Sequence, residues 1–359
     1  MILTSDERRR QVGSGVLLRK RHYLAFKGVN LGKEVIKMPS TEEIERALRK
    51  CELPRLVRGT KHDDPGLRLR TAEVLGGRFY DEPEAVAALR EMLREEEESV
   101  LEVVLKGLLR ASEGCGIPPQ VAPLLEEDSE VKVALELSKC REELFRICSG
   151  GFGEGVRKLA LDLLGHVAEP EDVDFLLELC RSPEPSLRAS ALSALGKVLV
   201  FPGVREAGRL VEAFLSAVRD SSPEVRAEGI RGLGWTLGRE CLEVVRSFLY
   251  DENPQVSEAA LEVVCLLGDE DELTELLESP SEHIRDSALR SLAVLGPESL
   301  FRGLAKLMGS ELEAWAVSRA KEVMEEPELW FEPEACAELE EALKNLEPEM
   351  RRNLEEVLR

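Results

Sequence analysis

The stretch SSPEVRAEGIRGLG, residues 221–234, combines a helix start with an amphipathic helix, and Asp220 directly precedes it. Asp220 and Ser222 are residue types that accept hydrogen bonds from first-turn amides, and Pro223 suits the first turn of a helix. From Val225 onwards, apolar residues return at helical spacing, and Arg226 follows the first of them. A polar turn, an apolar anchor, an adjacent arginine and an amphipathic helix therefore follow one another in this stretch.

The same order of features recurs along the chain. Clear copies are SPEPSLRASALSALG at 182–196 and SPSEHIRDSALRSLAVLG at 279–296, and weaker copies occupy 63–77, 153–165 and 251–268. Apolar anchors recur every 25 to 38 residues, at Leu67, Val100, Val131, Val156, Leu187, Val225, Val256, Ile284 and Leu312. Repetition with this period is the sequence signature of a solenoid.

A second amphipathic segment lies between neighbouring anchors, as in RLVEAFLSAVR at 209–219. Each repeat is therefore two antiparallel helices joined by a short turn, and the anchor lies at the start of the second helix. Gly165, Gly196 and Gly268 are expected to end their second helices. Because a helix pair cannot bury its apolar stripe alone, we predict an all-α fold, a right-handed α-α superhelix of about nine helical hairpins.

Residues 40–325 resemble the HEAT-repeat family, including its short repeats similar to those of phycobilin lyases. The resemblance implies a ladder between repeats, formed by an aspartate in the turn and an arginine at the start of the second helix. Asp220 and Arg226 match the six-residue spacing of this pair. Other copies keep only one member of the pair: Arg188, Arg285 and Asp251. A partial ladder is therefore expected.

The charge balance divides the chain at its ends. Residues 1–40 carry nine Lys and Arg against three Asp and Glu. We assign 1–38 to a basic N-terminal extension, either a β-hairpin or a disordered arm, 39–326 to the HEAT-like solenoid, and 327–359 to C-terminal capping helices. The helix start at Ser40 also makes Met38 an alternative natural start of the protein.

The chain as a whole is acidic, with a formal net charge of −22. Such a surface repels phosphates and anionic membranes, so we expect a protein or peptide partner and no membrane contact. Nucleic-acid binding stays open only through the basic residues 8–37. The scarcity of Asn and Gln beside many Glu and Arg is typical of thermophile proteins. Without an apolar run of about 20 residues or a secretory signal, the expected location is cytoplasmic.

The residue types needed for catalysis or metal binding do not cluster in the sequence. The four histidines are at least forty residues apart, and the repeated His-Glu pairs by which HEAT-like deoxyhypusine hydroxylase binds iron are missing. We predict no catalytic residue, metal or cofactor, and hence a non-enzymatic scaffold or adaptor for protein–protein interaction. The alternative is an enzyme or enzyme subunit of the phycobilin-lyase type, acting on a prosthetic group or a modified residue.

The resemblance also implies that the second helices line a concave binding surface. Residues six and ten positions after each anchor then form two rows across neighbouring repeats, which include Leu266 and Val294. From these rows we predict the partner-binding residues Asp162, His166, Ser193, Lys197, Arg231, Trp235, Glu262 and Arg290.

Trp235 has two interpretations. As an exposed residue near Arg231 and Lys197 it is a binding hot spot, since Trp and Arg are enriched in hot spots. As a packing residue it fills the space that Gly232 and Gly234 leave in a neighbouring core. The sequence supports both equally.

Overall fold

The computed structural model describes residues 40–125, 128–198, 207–307 and 310–324. Within these ranges every regular element is an α-helix or a short 3-10 helix, which confirms the predicted all-α HEAT-like solenoid. The predictions for residues 1–38 and 327–359 lie outside the described residues.

The first described helix begins where the sequence predicts. Helix α1 (Thr41–Lys50) is capped by Ser40, whose hydroxyl accepts from the Glu43 amide at 3.4 Å. The Glu43 carboxylate accepts in return from the Ser40 amide at 2.8 Å. This capping box satisfies two amides that a helix leaves unpaired at its start. Ile44 and Ala47 are the buried side chains of the helix.

The helices that follow form units in which a first helix precedes a second helix that begins close to an anchor. The first helices are α2 (Leu53–Gly59), α4 (Pro83–Glu91), α7 (Arg141–Ser149), α9 (Val173–Leu179), α11 (Ala207–Ala217), α13 (Leu242–Arg246), α15 (Glu270–Leu276) and α17 (Pro297–Leu307). The second helices are α3 (Pro65–Arg78), α5 (Glu98–Gly114), α8 (Glu154–Val167), α10 (Pro185–Val198), α12 (Pro223–Leu237), α14 (Pro254–Leu267), α16 (Glu282–Leu295) and α18 (Glu313–Met324). The other described elements are α6 (Ser129–Ser138) and the 3-10 helices Met92–Arg94, Ala122–Leu124, Pro170–Asp172 and Gly238–Cys241.

The second helices form one continuous layer. Each packs against the second helix of the next unit, and α5 packs directly against α8. Their apolar sides join those of the first helices in a core that runs from Ala47 to Ala316. The stripe of each unit is therefore buried by its neighbours, as expected when no helix pair encloses a core of its own.

Small residues set the distance between neighbouring second helices. Gly76 of α3 faces Gly107 of α5, and a Cβ atom placed on Gly76 would lie only 2.5 Å from the Gly107 Cα. Gly165 of α8 meets Ala194 of α10 in a similar way, with its Cβ position 3.0 Å from the Ala194 Cα. Side chains larger than these would push the helices apart.

Two of the three predicted helix ends are wrong. Helices α8 and α10 continue past Gly165 and Gly196, to Val167 and Val198. Gly165 serves the close approach to α10 instead of terminating α8, and a glycine tolerates helical dihedrals as well as left-handed ones. Gly268 is the C-cap of α14, as predicted.

An alanine at Gly76 is expected to lower the free energy of unfolding by about 1–3 kcal/mol, because its methyl group collides with the α5 backbone. The neighbouring Gly77 is the matched control, since the nearest atom to its Cβ position is Arg110 Nη1 at 3.7 Å. Gly77→Ala should be neutral or stabilise by up to about 1 kcal/mol through helix propensity. Urea unfolding followed by circular dichroism measures both, and equal effects of the two variants would contradict this packing.

Arginines that follow the anchors join neighbouring units. Arg188 Nη1 donates to the carbonyl oxygens of Ser182 and Pro183 in its own turn, at 2.9 and 3.1 Å. Its Nε and Nη2 donate to both carboxylate oxygens of Asp220 in the next turn, at 2.9 and 2.8 Å. A planar guanidinium suits this bidentate geometry, so one side chain fixes two turns.

Arg226 and Arg68 repeat this arrangement. Arg226 donates to Asp251 at 3.4 Å and Arg68 donates to Glu95 at 3.0 Å. Each also donates to two carbonyl oxygens of its own turn. The carboxylate that accepts from each arginine therefore belongs to the next unit. An arginine whose own turn has a serine in place of the acid can still be paired.

The ladder is interrupted between α14 and α16. Ser257 stands at the arginine position, and the next turn carries Ser279 at the position of the acid. The hydroxyl oxygens of Tyr250 and Ser279 lie 3.0 Å apart there. In the following unit, the guanidinium of Arg285 lies 4.8 Å from the centroid of the Trp315 ring, a cation–π contact. The step of the ladder between α14 and α16 therefore lacks both the arginine and the carboxylate that would accept from it.

Removing the Arg188 guanidinium should destabilise the array. Arg188→Ala removes the two hydrogen bonds that Asp220 accepts from the guanidinium and those that two carbonyl groups accept, so we expect a loss of about 2–3 kcal/mol. Arg94→Ala is the control, because its side chain is 79% exposed in its pair with Glu143 and should contribute below about 0.5 kcal/mol. Denaturant midpoints measure both, and an effect of Arg188→Ala no larger than that of Arg94→Ala would contradict the ladder.

The unit predicted around Val131 departs from the array. Helix α6, which carries Val131, packs against α4 and not into the row between α5 and α8. Val131 is buried in a small separate core with Ala122 and Ala134. The preceding segment contains consecutive prolines at 118–119, which do not suit a helix interior, so the hairpin of this unit does not form.

Candidate partner-binding face

The exposed side of α8, α10, α12, α14 and α16 carries the residues that the sequence singles out. Row A consists of the residues six positions after the anchors: Asp162, Ser193, Arg231, Glu262 and Arg290. Row B consists of the residues ten positions after the anchors: His166, Lys197, Trp235, Leu266 and Val294. The two rows together are called the second-helix face below.

Direct contacts join equivalent positions of neighbouring helices. In row B, Lys197 Nζ lies 2.8 Å from His166 Nε2. In row A, Arg231 Nε donates to Glu262 Oε2 at 2.8 Å. Four predicted residues are therefore in contact with one another as two pairs, and each row continues from one helix to the next.

The end of the face formed by α8 and α10 is polar. Because an ammonium group only donates, Lys197 donates to His166 Nε2, which requires the tautomer with its proton on Nδ1. Burial and the Lys197 charge lower the pKa of His166 to about 4, and burial also lowers the pKa of Lys197. Asp162, one turn earlier, accepts from Lys158 at 3.2 Å. Gln120 Nε2 donates to the His166 carbonyl oxygen at 3.1 Å.

His166 is expected to titrate near pH 4, measured by NMR of its ring protons. Lys197→Met should raise the pKa of His166 but leave it below 6.5, because burial is the larger cause and is unchanged. As the pH falls, His166 is protonated in the unfolded chain before it is protonated in the folded protein. This residue therefore lowers the free energy of unfolding as the pH falls from about 6.5 to 4. Lys106→Met on α5 is the control and should leave the pKa unchanged. A wild-type pKa near 6.5 would contradict the buried pair.

The middle of the face contains a partly buried carboxylate that the sequence does not single out. Glu228 of α12 accepts from Arg231 Nη1 at 2.8 Å and from the Ser193 hydroxyl. Burial raises the pKa of Glu228, although its contact with Arg231 opposes the shift. Arg231 donates to both Glu228 and Glu262, so it links α12 to α14. Glu228 lies three positions after its anchor, and no repeated signal in the sequence marks it.

The end of the face formed by α12, α14 and α16 is apolar. Trp235, Leu266 and Val294, consecutive members of row B, are 52%, 72% and 72% exposed. Leu295, next to Val294, is 53% exposed and was not singled out by the sequence. Leu266 and Val294 lie in the predicted row, but their apolar character alone did not show that they face solvent.

The surroundings of Trp235 separate its two interpretations. The space above Gly232 is occupied by Phe214, whose Cδ1 lies 2.0 Å from the Cβ position of the glycine. The space above Gly234 faces Val263. Trp235 lies instead against Gly196 of α10, with its Cε3 3.7 Å from the Cβ position. It therefore does not fill the gap at either glycine and keeps half its surface exposed.

Row A ends in a charged cluster between α16 and α18. Arg290 Nε donates to Asp286 at 3.3 Å, and Arg319 Nη2 donates to the same carboxylate at 3.0 Å. The hydrogen bonds from Arg319, with burial opposing them, hold the pKa of Asp286 below its usual range. Arg319 therefore links α18 to α16 through Asp286, whereas the hydrogen bond from Arg290 to Asp286 lies within α16.

No three or more His, Cys, Asp and Glu side chains of the described residues are grouped to hold a metal ion. The seven cysteines described are free thiols, of which Cys140, Cys148 and Cys241 are buried. None of the described helices is both long and apolar enough to cross a membrane.

The stacked helix pairs and the arginine ladder define an all-α solenoid of HEAT-like repeats. Residues 211–293 match the family model of HEAT repeats, which confirms the resemblance seen in the sequence. The matched segment includes α12 and α14, the helices that carry Trp235 and Leu266.

Solved structures are similar to the chain at low sequence identity. An engineered protein is 18% identical with a TM-score of 0.47, and the match covers 89% of this chain and 91% of that one. The Pds5–Scc1 complex, described with implications for cohesin function, is 12% identical with a TM-score of 0.42. That match covers 87% of this chain and 62% of the other, so the chain spans less than two thirds of its length. The search of curated proteins gave no match.

Proposed function

We propose that this chain is a non-enzymatic scaffold that binds a protein or peptide partner along the second-helix face, the surface predicted to be concave. The observation that carries the proposal is the run of Trp235, Leu266 and Val294, three large apolar side chains on consecutive second helices, each at least half exposed. Contiguous apolar surface on a folded protein is costly to leave in water and marks interaction sites.

The position of the run also supports binding. Leu295 adjoins Val294 on α16 and extends the run. The other exposed large apolar side chains of the described residues lie on different elements: Leu124 and Leu125 at the end of a 3-10 helix, Val244 on α13, and Tyr250 in a turn. Single exposed apolar residues are ordinary, whereas an aligned row is not. Trp235 adds the residue type most enriched in binding hot spots.

The partner should be lost when the apolar run is removed. The face variant is Trp235→Ala/Leu266→Ser/Val294→Ser, and the off-face variant is Leu124→Ser/Val244→Ser/Tyr250→Ser, which removes three apolar side chains that are 83%, 41% and 60% exposed. Each is used as bait in lysate of the source cells, and captured proteins are quantified by mass spectrometry. We expect a specific protein to be captured by wild type and the off-face variant and to fall at least about tenfold with the face variant, equivalent to about 1.4 kcal/mol.

Circular dichroism and the unfolding midpoint must first show that both variants fold. Equal capture by all three baits would contradict binding through this face.

A further inference from the structure

We infer that the element bound by the second-helix face is a basic amphipathic helix, whose apolar stripe covers Trp235, Leu266 and Val294 and whose Lys and Arg side chains reach the edge beyond row B. This inference rests on the proposed function and specifies the chemistry of its partner. Three features of the described residues lead to it: the charge of this half of the array, the ends of its helices, and the scarcity of hydrogen-bonding groups on the apolar run itself.

The charge of this half of the array is strongly negative. Residues 223–324 contain ten Lys and Arg against twenty Asp and Glu, a net charge of −10. The cations near the face are already paired: Arg231 with Glu228 and Glu262, and Arg239 with Asp269. A basic partner therefore gains attraction here, and an acidic partner would be repelled.

The helix ends concentrate this charge beside row B. Trp235, Leu266 and Val294 lie in the last turns of α12, α14 and α16, which end at Leu237, Leu267 and Leu295. The carbonyl ends of helices carry partial negative charge and favour cations.

The segments that follow α12 and α14 add carboxylates. Glu240 and Asp271 are exposed and make no ion pair within the described residues. An apolar row with an acidic edge of this kind is complementary to a helix that has Leu on one side and Lys or Arg next to it.

The hydrogen-bonding groups of the partner's backbone favour a helical conformation. An extended peptide needs partners for its own amide and carbonyl groups, and among the side chains of Trp235, Leu266 and Val294 only the Trp235 indole N–H could supply one. A helix satisfies these groups internally.

The spacing of the row is also compatible with a helix. Helices packed at about 8–10 Å place three row B side chains over about 16–20 Å, which a partner helix covers in about 11–13 residues. Apolar residues at i, i+3, i+4, i+7 and i+11 would form the matching stripe.

Three designed peptides of about 18 residues test the inference. The first is an amphipathic Lys/Leu helix, the second has the same pattern with Glu in place of Lys, and the third is a scrambled Lys/Leu sequence of identical composition. Binding is measured by fluorescence anisotropy at about 50 and 500 mM salt. We expect the Lys/Leu helix to bind at least about tenfold more tightly than the other two, and more weakly at high salt.

Variants locate the binding. The face variant should weaken binding of the Lys/Leu helix at least about tenfold, and the off-face variant should change it by less than about twofold. Glu240→Lys/Asp271→Lys should also weaken it. Its matched control is Glu243→Lys/Glu252→Lys, which makes the same charge change at exposed positions away from row B and should have a smaller effect.

Each contrary outcome overturns a defined claim. Equal binding of the scrambled peptide, or no effect of the face variant, means that only general charge attraction operates. Tighter binding of the Glu/Leu helix refutes a basic partner. If the Lys/Leu helix does not bind while lysate capture still depends on the face, this inference fails and the proposed function stands. If neither depends on the face, both fail.

Discussion

Each helix pair in this protein has an apolar stripe that only the next pair can bury, and the close packing of the second helices depends on this constraint. Gly76 against Gly107, and Gly165 against Ala194, bring backbones together where larger side chains would hold them apart. The packing determines which residues of each second helix are buried and which are exposed. The anchor faces the core, whereas the residue ten positions later comes to lie on the exposed side of the last turn.

The two ends of the second helices carry different kinds of charge. At the amino-terminal ends, the ladder pairs the arginines with acids of the next turn, and Asp220 also accepts from the Ser222 amide at 2.8 Å. The hydrogen bonds from Arg188 and Ser222 hold the pKa of Asp220 below its usual range, against the effect of burial. Those carboxylates are therefore already paired in contacts between the units. Beyond the carboxyl-terminal ends of α12 and α14, Glu240 and Asp271 make no ion pair within the described residues, so they are among the carboxylates available to a partner.

The repeat could be predicted because it is a local signal copied many times. The start of α1 at Ser40 and of α12 at Pro223 follows from residues within a few positions of each. Features that depend on a neighbouring unit could not be predicted in the same way. The sequence does not distinguish a glycine that ends a helix from one that lets two helices touch, and the predicted helix end at Gly165 is wrong for that reason.

The same limit applies to the candidate site. The rows were predicted from a constant offset to the anchors, but the offset does not show which members pair with one another. Arg231, which the sequence predicts as a contact for a partner, donates to Glu228, which no repeated pattern marks, and its role in binding stays a prediction. Val131 has the spacing of an anchor, yet the prolines before α6 direct that helix out of the row. Tertiary packing decides these points.

Row B changes from polar to apolar between α10 and α12. This change determines which part of the row contributes most binding free energy when a partner covers it. Lys197 and His166 already satisfy each other, and burial lowers the pKa values of both, so covering them further would add a desolvation cost. Covering Trp235, Leu266 and Val294 releases water from apolar surface, at about 1.5–3 kcal/mol for each side chain when fully buried. Because these side chains are 52%, 72% and 72% exposed, the total still to be gained is about 3–6 kcal/mol, at the low end of the cost of association itself, about 4–15 kcal/mol. The apolar run alone therefore supports only weak binding, and the acidic edge beside it must contribute for a partner to be held tightly.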